Sequence, residues 1–393
     1  MKQILFLVAL CGGLTTAVAQ SADSVEQVLQ SIQRNNKALQ SATQRMEAQK
    51  METRIDNNLE NPEVEYTYQF SNKENPTNQS ELNVTQSFDF PTRYAARGQY
   101  GKLQREVYDR QLDLQRRDIL LQAKELCLQL VHLNKQKTLL AQRKARVDEL
   151  AEVYDKRLQT GDANVLEVNK VKLERMAVAA EVAQNDADFR TALQQLVAMN
   201  GNQTLSFDGT TYPVLPALTA YDALRDTLCA HDYELQSAQA QQDAARKAVS
   251  VDKQGWLPSL TVGYRRSGLV GAEAHGFIVG ASIPLFSNRG KVKQSKMESL
   301  SADYEAEEVQ SRVEADLQSL YNEACRLKQA LEGYDVTLMN QTLDYLSQAL
   351  KAGQLSVIQY FTEVDSINDN QQKYLELEYA YQLAMSRLYK NFL

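Results

Sequence analysis

Side chains that commonly hold metals or act as nucleophiles are few and scattered in this sequence. It contains three histidines, His132, His231 and His275, and four cysteines. Cys127 and His132 lie five residues apart in a segment predicted to be helical, so they would not share one helix face. Cys229 and His231 form a single C-x-H pair, without the second pair that a zinc finger needs. We therefore predict no metal site and no bound cofactor.

Motifs of the common enzyme classes are also missing from the 393 residues. We find no nucleophile elbow, no phosphate-binding P-loop and no dinucleotide fingerprint. The net charge of −7 argues against a nucleic-acid partner, which would favour a basic surface. The chain has only 16 glycines and 7 prolines, and 43% of it is apolar. This composition favours long amphipathic helices in a non-catalytic protein.

The N-terminus has the three parts of a secretory signal peptide. Lys2 gives a charged start, Ile4 to Leu14 is a short apolar run, and Ala17-Val18-Ala19 is a small-x-small cleavage site. The apolar run is shorter than the ~18–20 residues that a membrane-spanning helix needs. We therefore predict that residues 1–19 are removed and that the protein is exported.

One of the four cysteines lies inside the predicted signal peptide, and the other three lie in the mature protein. Leu10 precedes Cys11, where a lipoprotein signal has a small residue, so we expect no lipid anchor. After cleavage Cys127, Cys229 and Cys325 remain. An odd number in an oxidising compartment leaves at least one cysteine unpaired or paired between chains. Burial as small apolar side chains is the simpler role for all three.

An internal duplication with a period of roughly 195 residues organises the chain. Each half has a helical segment, a pair of strand-like segments, a very long helical pattern, a turn and a further helix. The turns correspond as Leu158-Gln159-Thr160-Gly161 and Leu350-Lys351-Ala352-Gly353. All prolines fall outside the proposed helices, where a proline would cost about 3 kcal/mol.

These patterns divide the chain into eight segments. We predict a signal peptide (residues 1–19), a helix (20–62), a first β-hairpin (63–91), a first long helix pair (92–200), a linker between the repeats (201–218), a second helix (219–257), a second β-hairpin (258–286) and a second long helix pair (287–393).

The strand-like segments alternate between apolar and polar residues. Each is near the ~9–11 residues that a tilted transmembrane strand requires. A soluble sheet with one buried face gives the same alternation. If the strands cross a membrane, the loops from Ser71 to Gln79 and from Ser267 to Ala274 would face outside the cell. The side chains predicted to face the membrane are Tyr66, Tyr68, Phe70, Phe88, Val262, Tyr264, Val279 and Ile283.

Four strands cannot close a β-barrel, and open sheet edges are not tolerated in lipid. The chain must therefore pair with copies of itself or stay out of the membrane. Two, three or four copies would give eight, twelve or sixteen strands, and only the larger counts leave an open lumen.

The long helical patterns are sustained heptads. One helix is predicted from about Tyr94 to Leu158, spanning on the order of 100 Å. In the second half the apolar pattern continues from Val313 through Tyr334 to Leu338, which predicts one continuous helix. An ordinary dimeric coiled coil would explain a single apolar stripe, whereas a second stripe favours a helix wedged between two neighbours. The main stripe comprises Leu112, Ile119, Leu126, Leu133, Leu140, Val147 and Tyr154, and the second comprises Val107, Leu114, Leu121 and Leu128.

Together these features resemble the TolC-type outer-membrane efflux proteins over essentially the whole mature chain. The resemblance rests on the duplicated order of Asn61-Pro62, Trp256-Leu257-Pro258-Ser259-Leu260, Ser282-Ile283-Pro284-Leu285-Phe286-Ser287 and the two Leu-x-x-Gly turns. The segment from Phe88 to Arg97 is similar to the CzcC and CusC branch of that family, which is associated with metal-cation efflux.

The resemblance implies a mainly α fold with a small β part, assembled as a homotrimer. Its strands would form one twelve-stranded β-barrel in the outer membrane of a Gram-negative bacterium, and its coiled-coil helices an α-barrel in the periplasm. The protein would be the passive exit duct of a tripartite efflux system. Its partners would be outer-membrane lipid, a periplasmic adaptor (membrane fusion) protein and an inner-membrane pump of the resistance-nodulation-division class.

Two sets of functional residues follow from the resemblance. The adaptor would dock on the turns, through Arg157, Leu158, Thr160, Gly161, Leu350 and Gly353. Relatives close the periplasmic mouth with aspartates at places that here hold Gln359 and Thr362, so the nearby Glu363 and Asp365 are candidate substitutes in the gate.

Two other classes of protein compete with this interpretation. A structural periplasmic coiled-coil spacer or an adhesin-like stalk would explain the helices, but it would not need the duplicated apolar strands. A general diffusion porin is disfavoured because most of the chain is predicted to be helical. The resemblance leaves the cargo open between metal cations, drugs and other molecules, because selection belongs to the pump.

Overall fold

The computed structural model describes residues 25–70, 78–269 and 272–393. The predicted signal peptide, the prediction for Cys11 and most of the first outer loop lie outside these residues. The helices are α1 (Val25–Asn35), α2 (Lys37–Ile55), α3 (Pro91–Thr160), α4 (Val165–Met199), α5 (Tyr221–Ala230), α6 (Tyr233–Gln254), α7 (Lys291–Glu332), α8 (Val336–Lys351) and α9 (Val357–Leu388), and the strands are β1 (Glu63–Gln69), β2 (Gln79–Phe88), β3 (Ser259–Leu269) and β4 (Ala272–Ser282). The prediction of a mainly α fold with a small β part is confirmed.

The short helices that open each half are broken, whereas the sequence predicted one helix in each place. In the first half the break is at Asn36, whose side chain accepts a hydrogen bond from the Leu39 amide at 2.9 Å. In the second half Asp232 accepts from the Glu234 and Leu235 amides. Both residues are good N-caps, so each starts a new helix where the apolar pattern would have continued.

Helix α3 runs unbroken for 70 residues, about 105 Å at 1.5 Å per residue. It begins at Pro91, where a missing N–H costs nothing, and ends at Thr160. The next residue, Gly161, has a φ of 79°, a left-handed conformation that stops the helix. All seven residues of the main heptad stripe are buried or half-buried, and Val107 and Leu128 of the second stripe are buried. The helix therefore packs on more than one side.

The second long helix is not continuous, and the prediction of one helix through Tyr334 was wrong. Helix α7 ends at Glu332, Gly333 follows it, and Asp335 caps the start of α8 by accepting from the Leu338 amide at 2.9 Å. A glycine followed by a strong N-cap residue outweighs the apolar spacing. Leu338, predicted to lie in the stripe, is exposed.

The helices form two tiers that share α3. Next to the sheet, neighbours follow the order α2, α3, α6 and α7. Toward the turns, α3 packs between α4 and α9, and α8 lies on the far side of α9. The predicted linker of residues 201–218 has no helix or strand, but it is not free. Leu205, Phe207 and Tyr212 are buried against α3 beside Val131.

Within the described residues, no helix has the length and apolar character needed to span a membrane. Cys127, Cys229 and Cys325 are free thiols. Cys127 is fully buried, and burial raises the pKa of its thiol to about 12. It therefore serves as a small core residue.

Candidate functional site

The four strands form one antiparallel sheet in the order β1-β2-β3-β4. Residues paired across neighbouring strands lie on the same face. The register pairs Tyr66 with Leu82, Phe88 with Leu260, and Val84 with Tyr264. It also pairs Tyr264 with Phe277 and Val262 with Val279. The hairpins of the two halves thus combine their apolar residues on a single face.

This apolar face carries the strand residues predicted to face the membrane. Phe277 is 90% exposed and Val279 is 84% exposed, so the helices of this chain do not cover them. Phe70 and Ile283 lie one residue beyond the ends of β1 and β4 and continue the alternation. The face becomes polar near the outer hairpin ends, where Arg266 bonds Glu273 at 2.6 Å.

The opposite face is polar and carries an excess of negative charge. Its charged residues are Glu63, Glu65, Glu81 and Arg265, and Arg265 bonds Glu81 at 2.6 Å. Within the described part of the chain, Glu63 and Glu65 have no ion-pair partner. On β4 the residues of this face are uncharged: Ala272, Ala274, Gly276, Ile278, Gly280 and Ser282.

Strands β1 and β4 are the two edges of the sheet, and each leaves a row of backbone groups unpaired. Strand β1 has 7 residues, fewer than predicted, whereas β3 and β4 have 11 each. The second outer loop is shorter than the predicted segment from Ser267 to Ala274, because β3 continues to Leu269 and β4 begins at Ala272.

The outer helices of both tiers also leave apolar residues exposed along their length. Next to the sheet these helices are α2 and α7, and toward the turns they are α4 and α8. Large apolar side chains that share one helix face and remain exposed are typical of interaction surfaces. The exposed residues are Met51 and Ile55 on α2, Met297, Leu300 and Tyr304 on α7, Leu166, Leu173 and Met176 on α4, and Leu338 and Tyr345 on α8.

The first turn is exposed and tightly hydrogen-bonded. The Thr160 hydroxyl donates a hydrogen bond to the Asp162 carboxylate at 2.7 Å, and its oxygen lies 3.1 Å from the Arg157 carbonyl oxygen. Leu158 is exposed, and Arg157 lies over the Tyr154 ring. The turn therefore presents a preformed surface.

The second turn is packed differently. Gly353 has a φ of 71°, which matches Gly161. Leu350, however, is buried in a core cluster with Val357 and Phe361. A direct contact between Leu350 and an adaptor, as predicted, would need this core to open, so the exposed Lys351, Ala352 and Gly353 are the residues available there.

The four candidate gate residues are not equivalent. Gln359 forms a capping box with Ser356, so it stabilises the start of α9. Thr362 donates to the Ile358 carbonyl at 2.9 Å. Glu363 is exposed, and Asp365 is half-buried.

Asp365 stands between the helix pairs of the two halves. Lys170 on α4 lies 3.9 Å from the Asp365 carboxylate and 2.5 Å from Glu174. Burial and the nearby Glu174 raise the pKa of Asp365. The sequence did not indicate Lys170 or Glu174, because their spacing is that of an ordinary solvent-facing helix pair and only the fold places them beside α9.

The structure thus combines a long helical body with a small sheet that has one apolar face and two open edges. Residues 224–391 match the model of the family described as Outer membrane efflux protein, which confirms the resemblance to TolC-type proteins. No curated protein sequence matches the chain.

Solved structures of outer-membrane channels share the fold over almost the whole chain. A CusC structure has a TM-score of 0.75 at 17% identity, covering 94% of this chain and 92% of CusC. The CmeC outer membrane channel of Campylobacter jejuni has a TM-score of 0.77 at 13% identity, covering 94% and 85%. A membrane protein from Pseudomonas aeruginosa has a TM-score of 0.78 at 15% identity, covering 94% and 90%. At these identities the likeness establishes the fold.

Proposed function

We propose that this protein is the outer-membrane channel of a tripartite efflux system. It would act as the passive exit duct for substrates that an inner-membrane pump expels through a periplasmic adaptor. The observation that carries the proposal is the four-stranded sheet with an uncovered apolar face and two open edges. The family match and the shared fold with outer-membrane channels support it.

The open edges require other copies of the chain. In lipid each unpaired backbone group costs several kcal/mol, so β1 of one copy would pair with β4 of the next. The exposed apolar residues on the outer helices of both tiers would be covered by the same neighbours. Three copies, as the TolC-type resemblance implies, give a twelve-stranded barrel whose polar face lines the lumen.

The turns would lie in the periplasm, farthest from the membrane, and would receive the adaptor. The first turn is the better candidate, because Leu158, Thr160 and Gly161 are exposed there. At the second turn Gly353 remains accessible, whereas Leu350 does not. The pump would be of the resistance-nodulation-division class and would supply the energy.

The resting closure of the duct would involve the contact between Lys170 and Asp365. This contact joins the helix pairs of the two halves near the turns, where the narrow end of the duct is expected. Glu363, exposed on the same helix, is the second candidate.

Within this proposed function, metal cations are the more specific proposal for the cargo. The segment from Phe88 to Arg97, which resembles the CzcC and CusC branch of the family, supports it. Neighbouring genes for a metal-type pump and adaptor, together with metal sensitivity of a deletion strain, would test this cargo.

Conductance in planar lipid bilayers tests the proposal itself. A duct should give discrete current steps after detergent-extracted protein is added. A periplasmic spacer or adhesin-like stalk, the alternative from another class, should give none, and it would not explain the uncovered apolar face of the sheet. We propose no enzymatic activity.

A further inference from the structure

The end of each half of the chain returns to the helix break at the beginning of the same half. In the first half the residues after α4 meet the break between α1 and α2. In the second half the residues after α9 meet the break between α5 and α6. In both places a buried asparagine, Asn200 or Asn391, makes the contact.

The first contact is built from neutral groups. Asn200 Oδ1 accepts hydrogen bonds from Ser31 Oγ at 2.9 Å and from Asn35 Nδ2 at 3.1 Å. Asn36, which caps α2, donates to the Met199 carbonyl at 2.8 Å. Gly201 follows with a φ of 66°, and a Cβ there would lie 2.6 Å from the Asn35 carbonyl oxygen. The close approach therefore requires glycine.

The second contact is built around charges. Asn391 Nδ2 donates to the Asp232 carboxylate at 2.8 Å, and Asn391 Oδ1 accepts from Arg117 at 3.2 Å. Lys390 bonds Glu234 at 2.9 Å. Arg117 and Arg312 also reach Glu234, so α3, α6, α7 and the C-terminal segment meet at one carboxylate.

We propose that these two contacts are separate clamps, each locking the helix break of its own half. The neutral clamp comprises Ser31, Asn35, Asn36 and Asn200, and the charged clamp comprises Arg117, Asp232, Glu234, Lys390 and Asn391. Each clamp fixes the C-terminal end of the helix that returns from a turn, which is α4 in the first half and α9 in the second. The two helix breaks are thus held by separate contacts of different chemistry, one neutral and one charged.

Hydrogen exchange of the full-length mature protein in detergent tests this proposal. Loss of a buried hydrogen bond should accelerate local amide exchange by roughly fivefold to a hundredfold. Asn200→Ala should accelerate exchange around residues 31–40 and leave residues 229–236 unchanged. Asn391→Ala should do the reverse. Asn370→Ala, which removes an exposed side chain that bonds only within α9, is the matched control.

Milder variants keep the test decisive if an alanine variant fails to fold. Asn35→Ala weakens only the neutral clamp and Lys390→Met only the charged one. Moderate salt should accelerate exchange at residues 229–236 alone, because salt screens ion pairs. The proposal would be overturned if one variant accelerated amide exchange at both helix breaks. It would also be overturned if no variant accelerated exchange at either break. None of these readouts depends on channel activity.

Discussion

Leu158 and Leu350 occupy equivalent positions in the two turns, yet Leu158 is 38% exposed and Leu350 is 4% exposed. Val165 and Val357, which follow the turns, differ in the same way, at 60% and 0%. The duplicated sequence therefore builds one turn with an apolar outer surface and one turn whose apolar residues belong to the core.

Because of this asymmetry, substitutions at the first turn should affect efflux, whereas substitutions at the second turn should affect stability. Leu158→Asp should abolish efflux in resistance assays while the oligomer still assembles, because it changes only an exposed surface. Gly161→Pro should do the same by destroying the turn. Gln159→Asp, an exposed neighbour, is the control for added charge. Normal resistance with Leu158→Asp would remove the first turn as the adaptor site.

Leu350 should behave as a core residue. Leu350→Ala should destabilise the protein by about 2–5 kcal/mol, the usual cost of a buried leucine, and Leu350→Asp should reduce the amount of assembled protein. Thermal unfolding and the yield of the oligomer measure these effects. An unchanged melting temperature for Leu350→Ala would show that this turn is open in the assembled protein.

The candidate gate gives a prediction for conductance. Glu363→Ala should raise the resting current in planar bilayers if this exposed carboxylate helps to close the duct. Glu307→Ala, an exposed residue on α7, is the control. Unchanged currents would eliminate Glu363 and leave the contact between Lys170 and Asp365 as the candidate closure.

The charged clamp gives a prediction for pH. Burial alone would raise the pKa of Glu234, but Lys390, Arg312 and Arg117 outweigh it and lower the pKa to about 2. A lowered carboxyl pKa stabilises the folded state above the unfolded value, near 4.5, and this stabilisation is lost as the pH falls toward 2. Glu234→Gln should therefore lower the melting temperature by several degrees at pH 7, with the difference shrinking below pH 4.5.

Glu308→Gln is the matched control for this prediction, since Glu308 is an exposed partner of Arg312 at 3.3 Å. It should change the melting temperature little at any pH. A Glu234→Gln effect that stays constant from pH 7 to pH 3 would contradict the electrostatic explanation.

The polar face of the sheet gives a prediction for ion selectivity. If β1 pairs with β4 of the next copy, Glu63 and Glu65 face only uncharged residues of that strand, so their charge would attract cations into the lumen. The reversal potential in a salt gradient should show cation preference, and Glu63→Gln with Glu65→Gln should reduce it. Glu273→Gln, on the apolar face, should not. If Glu273→Gln reduced the cation preference as much as the double variant does, the assignment of the two sheet faces would be contradicted.

The sequence predicted the features that depend on local periodicity. The alternation of Val64, Tyr66 and Tyr68 placed their side chains together, and the heptad from Leu112 to Tyr154 gave one long helix. Both features follow from the fixed repeat of strands and helices.

The features that the sequence missed depend on particular caps or on long-range contacts. Asn36 and Asp335 start new helices inside apolar patterns, because one strong capping residue decides a boundary that periodicity does not. The burial of Leu350 follows from packing against Phe361, and Lys170 lies beside Asp365 only because α4 and α9 meet. Such contacts join residues far apart in the chain.

The stoichiometry of the protein in the membrane tests the central claim most directly. The protein extracted with detergent from the outer-membrane fraction should have the mass of three mature chains. Sheet edges are stable in lipid only when sister chains close them, and the resemblance to TolC-type proteins implies three such chains. A monomer recovered from the soluble periplasmic fraction, with no affinity for lipid vesicles, would contradict the account.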